Sequence, residues 1–277
     1  MGKFIAHMKE KRKIALEAFL AENPVFRLEE YADTQGRPQD LTRNQIKYHV
    51  RRGRVKRVAA GVYAAVPFGQ DPRAFWPDPV LVAACLQPCG VFSHHTALEL
   101  LGAGHSAWNV CTLFCERPPA PQPLGEQRIH FLSFPSALVR KKLTGLGVRH
   151  LDRRGRQVTC TGPERTLVEG FRQPRWAGGL EELVESASGF PSLDLDLLER
   201  VLKAYDQSNL WSAAGWFLER YQERFFVPEA FLTRLERCRP SKPRYLVRSE
   251  RGGTLVHRWN LVVSSRLLQW EGQRAQP

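Results

Sequence analysis

Apolar residues recur at helical spacing from Lys9 to Leu20, where Ile14, Ala15, Leu16, Ala18, Phe19 and Leu20 form a broad face that Asn23-Pro24 brings to an end. A second short helix is predicted over Arg27 to Ala32, with Phe26, Leu28 and Tyr31 as its buried positions. A third has a marked start. Thr42 followed by Gln45 has the spacing of a capping box, in which hydroxyl and amide each satisfy an orphan backbone N–H, and Leu41 with Ile46 would form the hydrophobic staple. Ile46 and Val50 give this helix a narrow apolar stripe, and Gly53 supplies its left-handed terminator after about ten residues. Two β-prone runs follow, Val55-Lys56-Arg57-Val58 and Gly61-Val62-Tyr63-Ala64, with Ala59-Ala60 between them, and predict a hairpin. Helix, helix, helix and hairpin over residues 1–68 is the order of a winged helix-turn-helix domain. A small helical domain with a solvated basic face and a hairpin cover is the plainer alternative.

Gly69 to Pro79, with three prolines and a glycine, reads as a linker, and residues 80–277 as a larger mixed α/β domain, so the fold class is α+β. Helices are predicted at Val80 to Leu86, after a Ser93 cap up to Gly102, and at Pro163 to Phe171. Others follow at Leu180 to Ser188, Asp196 to Ala204, Ala213 to Glu223 and Pro228 to Glu236. Strands are predicted at Val110 to Cys115, Arg128 to Phe134, Val148 to Leu151 and Gln157 to Thr161, with Arg244 to Arg248 and Leu255 to Val263 closing the domain. Pro118 to Pro123 reads as a loop or arm.

Charge changes the picture more than composition does. The chain carries a net +13, and residues 1–70 hold 14 Lys/Arg against 7 Asp/Glu, more than half of that excess. Seven of those cations and no acid lie in Arg43 to Arg57, across the predicted helix and the first hairpin strand. Arg43, Lys47 and Arg51 recur every four residues with Asn44, Tyr48 and Arg52 beside them, so cations and amides project together toward phosphates and base edges. Double-stranded DNA is the expected partner, bound with a steep salt dependence. An acidic membrane surface ranks lower, because no apolar stretch of about 18 residues and no signal-peptide pattern is present; a soluble, cytoplasmic protein is expected.

Other candidates are weighed residue by residue. Cys85/Cys89 and Cys111/Cys115 make two C-x3-C pairs, but Cys111 and Cys115 stand four apart on a predicted strand, about 13 Å from each other and too far for one metal ion, and Cys85 lies in the apolar helical run Val80 to Leu86, where a free cysteine packs as a small hydrophobe. The six cysteines are read as reduced structural thiols, with no metal or cofactor expected. Glu164 and Arg165 read as a helix-dipole partner and an internal ion pair, His94 and His95 as a polar or buried helix start, and Asp194 as a helix cap. A further basic stretch, Arg140 with Lys141, Lys142, Arg149, Arg153, Arg154 and Arg156, is a candidate secondary nucleic-acid surface, and Arg234 to Arg251 is basic as well.

Four motifs stand in order: Arg51-Arg52-Gly53-Arg54-Val55-Lys56-Arg57-Val58, Gly61-Val62-Tyr63, Ser93-His94-His95-Thr96-Ala97-Leu98 and Thr161-Gly162-Pro163-Glu164-Arg165-Thr166-Leu167-Val168. The set, spanning roughly residues 10 to 215, resembles the AbiEi antitoxin family of type IV toxin-antitoxin systems, known from abortive-infection phage defence. The resemblance implies a winged helix-turn-helix domain followed by an α/β antitoxin domain. It further implies repression of the protein's own operon through promoter inverted repeats, with two copies on the DNA, and action against a nucleotidyltransferase toxin without a stable complex. Carried onto this chain, the DNA contacts would come from Arg43, Asn44, Lys47, Tyr48, Arg51 and Arg52 on the helix and from Arg54, Lys56 and Arg57 on the wing. One departure is that Ala59-Ala60 stands where a basic residue is often found before Gly-Val-Tyr. The expected protein is not an enzyme. Two rivals stay open: a nucleic-acid-modifying enzyme steered by the winged helix, and a transcription factor that senses a ligand.

Overall fold

The computed structural model describes residues 16–246, 252–265 and 267. The earlier part of the predicted Lys9 to Leu20 helix, the end of the Arg244 to Arg248 strand and residues 247–251 of the last basic stretch lie outside these. The architecture is mixed α+β, and the chain divides into two compact units, one reaching to Pro88 and also containing Asp152–Gln157, the other formed by Cys89–Leu151 and the chain from Val158 onward.

In the first unit, α1 (Leu16–Glu22) leads to a short strand β1 (Val25–Arg27), α2 (Leu28–Gln35), α3 (Gln39–Arg51), the hairpin β2 (Val55–Ala59) and β3 (Val62–Ala65), and α4 (Pro79–Leu86). The hairpin is antiparallel, and β1 pairs with its second strand to give the order β1-β3-β2. Strand β1 is too short to show a period in the sequence, and it exists because Val25 and Phe26 are buried while their backbone pairs with Ala64 and Tyr63. Helix α2 starts directly after it, the Glu30 carboxylate accepting the Arg27 N–H at 2.7 Å, and ends at Gly36 with φ +60°. Four aromatic rings form the core: Phe19 lies 5.1 Å from Phe26 and 4.8 Å from Tyr31, and Phe26 stacks 5.9 Å from Tyr63.

The start of α3 differs from expectation. It begins four residues early, at Gln39 after Pro38, and spans 13 residues. Thr42 is not its cap: the Thr42 hydroxyl donates to the Pro38 carbonyl inside the first turn, Gln45 donates to the Tyr31 hydroxyl, and Leu41 is exposed, so neither capping box nor staple forms. A threonine bonding its i−4 carbonyl satisfies itself within the helix, and Pro38 with Asp40 in the first turn supplies the start instead. Gly53 does end the turn, with φ +70°.

The boundary predicted at residue 68 and the linker over 69–79 fall inside this unit. Helix α4, apolar on every side, buries Val80 to Cys85 and packs on β1 and β3, while Lys56 donates to the carbonyls of Arg73 and Phe75. The unit is completed by Asp152–Gln157, the tip of a later hairpin. Its Arg156 grips both Glu30 oxygens at 3.0 and 2.9 Å and the Val25 carbonyl at 3.2 Å, and Arg153 meets Asp78 at 2.8 Å.

The second unit is built on a six-stranded mixed sheet of order β6-β7-β5-β4-β9-β8, from β4 (Val91–Phe92), β5 (Val110–Cys115), β6 (Gln122–Leu124), β7 (Gln127–Ser133), β8 (Val148–Arg153) and β9 (Arg156–Thr161). The helices are α5 (His94–Leu100), α6 (Ser136–Arg140), α7 (Pro163–Arg172), α8 (Leu180–Ser188), α9 (Leu195–Tyr205), α10 (Ser208–Arg220) and α11 (Glu229–Arg237). Strand β6 occupies the end of the segment expected to be a loop or arm. A small sheet, β10 (Arg244–Tyr245), β11 (Thr254–Val256) and β12 (Leu261–Val263), ends the described chain; the single strand expected over Leu255 to Val263 is split by a 3-10 turn at His257–Trp259 and by Asn260 with φ +47°. Helix α7 is buried from Pro163 to Phe171 and packs on α5, α8, α9 and α10.

His94 opens α5 in a left-handed conformation, φ +53°, and is fully buried. Ser93 precedes it, but its hydroxyl meets the His94 Nδ1 at 2.9 Å and does not cap the helix. Burial, with the cations Arg172, Arg165 and Arg175 nearby, pushes the His94 pKa from 6.5 down to about 3. The unfolded chain therefore binds a proton that the folded one refuses, so stability is full above pH 6.5 and falls as pH drops below it. Unfolding free energy measured by urea between pH 6.5 and 5, above the carboxylate range, should decline, and the decline should be shallower in His94→Asn, since asparagine tolerates the same backbone conformation. An unchanged slope in that variant would remove His94 as the cause.

Candidate nucleic-acid interface

Helix α3 buries Thr42 and Ile46 against the aromatic core and turns the opposite face to solvent. Because residues four apart are neighbours on a helix, Arg43, Lys47 and Arg51 follow one another along that face, and Asn44, Tyr48 and Arg52 run beside them; all six are exposed. The Arg52 guanidinium sits 5.0 Å over the Tyr48 ring, which holds that aromatic outward, half exposed. Arg43 has one weak partner, Asp40 at 3.4 Å, whereas Lys47 and Arg51 have no carboxylate partner among the described residues.

The hairpin contributes less than its sequence suggests. Arg57 is exposed, with its Nε 3.4 Å from the Ala59 carbonyl. Arg54 is held by Glu17 at 2.5 Å, whose carboxyl it keeps below the usual range. Lys56 is turned inward: besides its two carbonyl acceptors, its ammonium lies 3.5 Å from the Trp76 ring centroid, and burial lowers its pKa. Of the nine residues proposed from sequence, seven therefore present side chains without a strong internal partner, and Arg54 and Lys56 are engaged within the protein.

Between α3 and the hairpin runs a groove of about 460 Å³. Arg43, Lys47 and Arg51 line it from the helix and Arg57 from the hairpin, while Leu28, Val50 and Tyr63 form its apolar wall. No acid lines it. A charge run in a sequence shows which cations are close along the chain; the hairpin register sets Arg57 opposite Tyr63, and both line the groove with the helical three. His49, on the same helix, is half-buried, and burial together with Arg54 holds its pKa below the ordinary value.

The second basic stretch does not form one free surface. Lys141 donates to the Lys203 and Ala204 carbonyls at the end of α9, Arg153 and Arg156 are bound to Asp78 and Glu30, and Lys142, Arg149 and Arg154 are exposed. With Arg140, exposed at the end of α6, four of the seven cations of this stretch remain available. In the second unit, Glu164 accepts the Asp194 N–H at 2.8 Å and Asp194 caps α9 through Leu197 at 2.9 Å. Arg165 finds Glu169, and not Glu164, as its ionic neighbour. His95 is enclosed between Glu99 at 3.3 Å and Glu182 at 3.1 Å. All six cysteines are free thiols, with burial raising Cys85 and Cys160 to about 12. Among the described residues no group of three or more His, Cys, Asp or Glu could hold a metal ion, and no helix is long and apolar enough to cross a membrane.

No family model matches the chain, and no curated protein does. Among solved structures it is similar to the crystal structure of the RV2827C protein from Mycobacterium tuberculosis, with 18% sequence identity, 92% of each chain covered and a TM-score of 0.60. At that identity the likeness is one of fold: the mixed α+β arrangement recurs in another protein along nearly the whole chain.

Proposed function

We propose that this chain is a non-enzymatic, DNA-binding transcriptional repressor whose first unit is a winged helix-turn-helix, acting in the cytoplasm on the promoter of its own toxin-antitoxin operon and serving as antitoxin to a nucleotidyltransferase. The observation that carries the DNA-binding part is the solvent face of α3, where six residues able to contact phosphates or base edges stand together beside a hairpin. Helix α2, the short turn at Gly36 to Pro38 and α3 supply the helix-turn-helix, and β2 with β3 supplies the wing. Arg57, not Arg54 or Lys56, is the wing residue free to meet the backbone. The antitoxin part rests on the resemblance carried by the Ser93 to Leu98 and Thr161 to Val168 motifs. Two copies on an inverted repeat follow from the symmetry such a site requires.

Fluorescence anisotropy with duplex from the upstream promoter tests the reading. Lys47→Ala and Arg51→Ala should each weaken binding by about 1–3 kcal/mol, roughly 5- to 150-fold. A residue that contacts phosphate should lower the salt slope by about one and weaken all sequences alike; one that contacts a base should relax specificity at a single position. Unaltered affinity and slope in the double variant would sink the proposal. Growth rescue on co-expression with an adjacent nucleotidyltransferase checks the antitoxin part separately.

A further inference from the structure

We propose that the groove between α3 and the β2–β3 hairpin is a binding site for a nucleoside polyphosphate, and that its occupancy releases DNA from the same surface. The inference rests on the DNA-binding reading for its regulatory half and on the groove alone for its binding half. The volume, about 460 Å³, lies in the range of small-molecule sites, roughly 300–1,000 Å³, and the site is concave. A duplex meets the convex outer face of α3; a short flexible phosphate chain can enter the groove itself.

The lining matches that ligand in two ways. Arg43, Lys47 and Arg51 from one wall and Arg57 from the other surround the space with four cations and no acid, and three of the four have no carboxylate partner among the described residues. Such uncompensated charges are drawn to a dense anion, and each phosphate of a terminal chain brings roughly one to two negative charges. Three phosphates in sequence therefore balance four cations. The remaining wall, Leu28, Val50 and the nearly buried Tyr63, is apolar, which a bare inorganic anion does not use and a base or sugar does. A nucleotide bearing several phosphates satisfies both halves of the lining at once.

The consequence is regulatory. All four groove cations also belong to the DNA-facing set, so ligand and duplex compete, and each lowers the apparent affinity of the other by an amount set by its own concentration relative to its own dissociation constant.

The test uses the full chain with ATP and inorganic tripolyphosphate as probes, titrated against a labelled promoter duplex at fixed ionic strength. ATP is expected to displace the duplex competitively, and tripolyphosphate to do so several-fold less well because it leaves the Leu28, Val50 and Tyr63 wall uncovered. In direct titration, Lys47→Ala combined with Arg57→Ala should weaken ATP at least tenfold, whereas Arg52→Ala, outside the groove, should leave it unchanged; all three substitutions are at exposed positions, and a thermal melt confirms that the variants are folded. Displacement by sodium sulfate equal to that by ATP at the same ionic strength would overturn the proposal, as would ATP binding indifferent to the double substitution. Duplex binding without ATP competition removes the groove and leaves the DNA reading standing, while saturable ATP binding without any duplex binding does the reverse.

Discussion

Glu169→Ala should cost the second unit about 3–5 kcal/mol, the largest loss expected from any single charged residue outside the first unit. Glu169 is fully buried in α7 and carries three neighbours: the Tyr205 hydroxyl, the Arg172 Nε at 2.8 Å and the Arg165 Nε at 3.8 Å. Arg165 is fully buried as well, and its Nη1 donates to the carbonyls of Thr144 and Leu146 at 2.6 and 2.9 Å. Those carbonyls solvate part of the guanidinium, but Glu169 supplies the compensating charge. Removing the carboxylate leaves a buried cation uncompensated and the Tyr205 hydroxyl without its acceptor, and the penalty of a broken buried pair exceeds whatever the intact pair contributed. For a unit of this size each kcal/mol moves Tm by about 2–4 °C, so a drop of roughly 6–20 °C is expected. Glu169→Gln should recover only part of it, since the amide restores shape and an acceptor but not charge. A melting temperature within 2 °C of the parent in Glu169→Ala would show that water or another group already balances Arg165.

The same residue shows what a sequence can and cannot disclose. Arg165 and Glu169 stand at i, i+4 in a predicted helix, so an internal ion pair is legible; that both are excluded from water is not, because exclusion depends on α5, α8, α9 and α10 closing over α7. The α3 face was legible for the opposite reason. Charges that have no buried partner must remain in solvent, so a run of cations at helical spacing predicts its own exposure. Where a cation has a distant partner the argument fails: Arg156 meets Glu30 across 126 residues, and Lys56 is captured by carbonyls of a segment that composition marks as a linker. Element interiors are legible from periodicity, as the helix α8 at Leu180–Ser188 and the strand β5 at Val110–Cys115 show, while the start of α3 is not, because a threonine hydroxyl can serve its own helix as readily as cap it. The groove was hidden altogether, since its fourth cation stands on the hairpin, opposite Tyr63.

Gly215→Ala offers the second large effect, and its sign runs against helix propensity. Gly215 lies in the middle of α10, where its φ is not in the left-handed region, so alanine would ordinarily stabilise by roughly 0.5–1 kcal/mol. Here a Cβ would fall on the six-membered ring of Trp259, within the contact distance of three of its carbons. The ring cannot yield. Trp259 is fully buried, its Nε1 donates to Glu219 at 2.7 Å, its carbonyl accepts from the Ser212 hydroxyl at 2.7 Å, and the Arg258 guanidinium lies 5.3 Å from the ring centroid. Arg258 is itself tied to Glu219, Glu229 and Glu236, so displacing the indole disturbs α10, α11 and the turn before β12 together. Overpacking of this kind costs about 1–3 kcal/mol and more where backbone must move, so a net loss of about 3 kcal/mol is expected in urea unfolding. Gly170→Ala, whose added methyl would first meet the branched end of Leu183, should lose less, because that side chain can change rotamer. A double-mutant cycle separates collision from any backbone cause: paired with Trp259→Leu, which removes the ring, the Gly215→Ala penalty should shrink by at least 1 kcal/mol. Strict additivity of the two losses would mean that the close approach of α10 to the indole is not what requires glycine at this position.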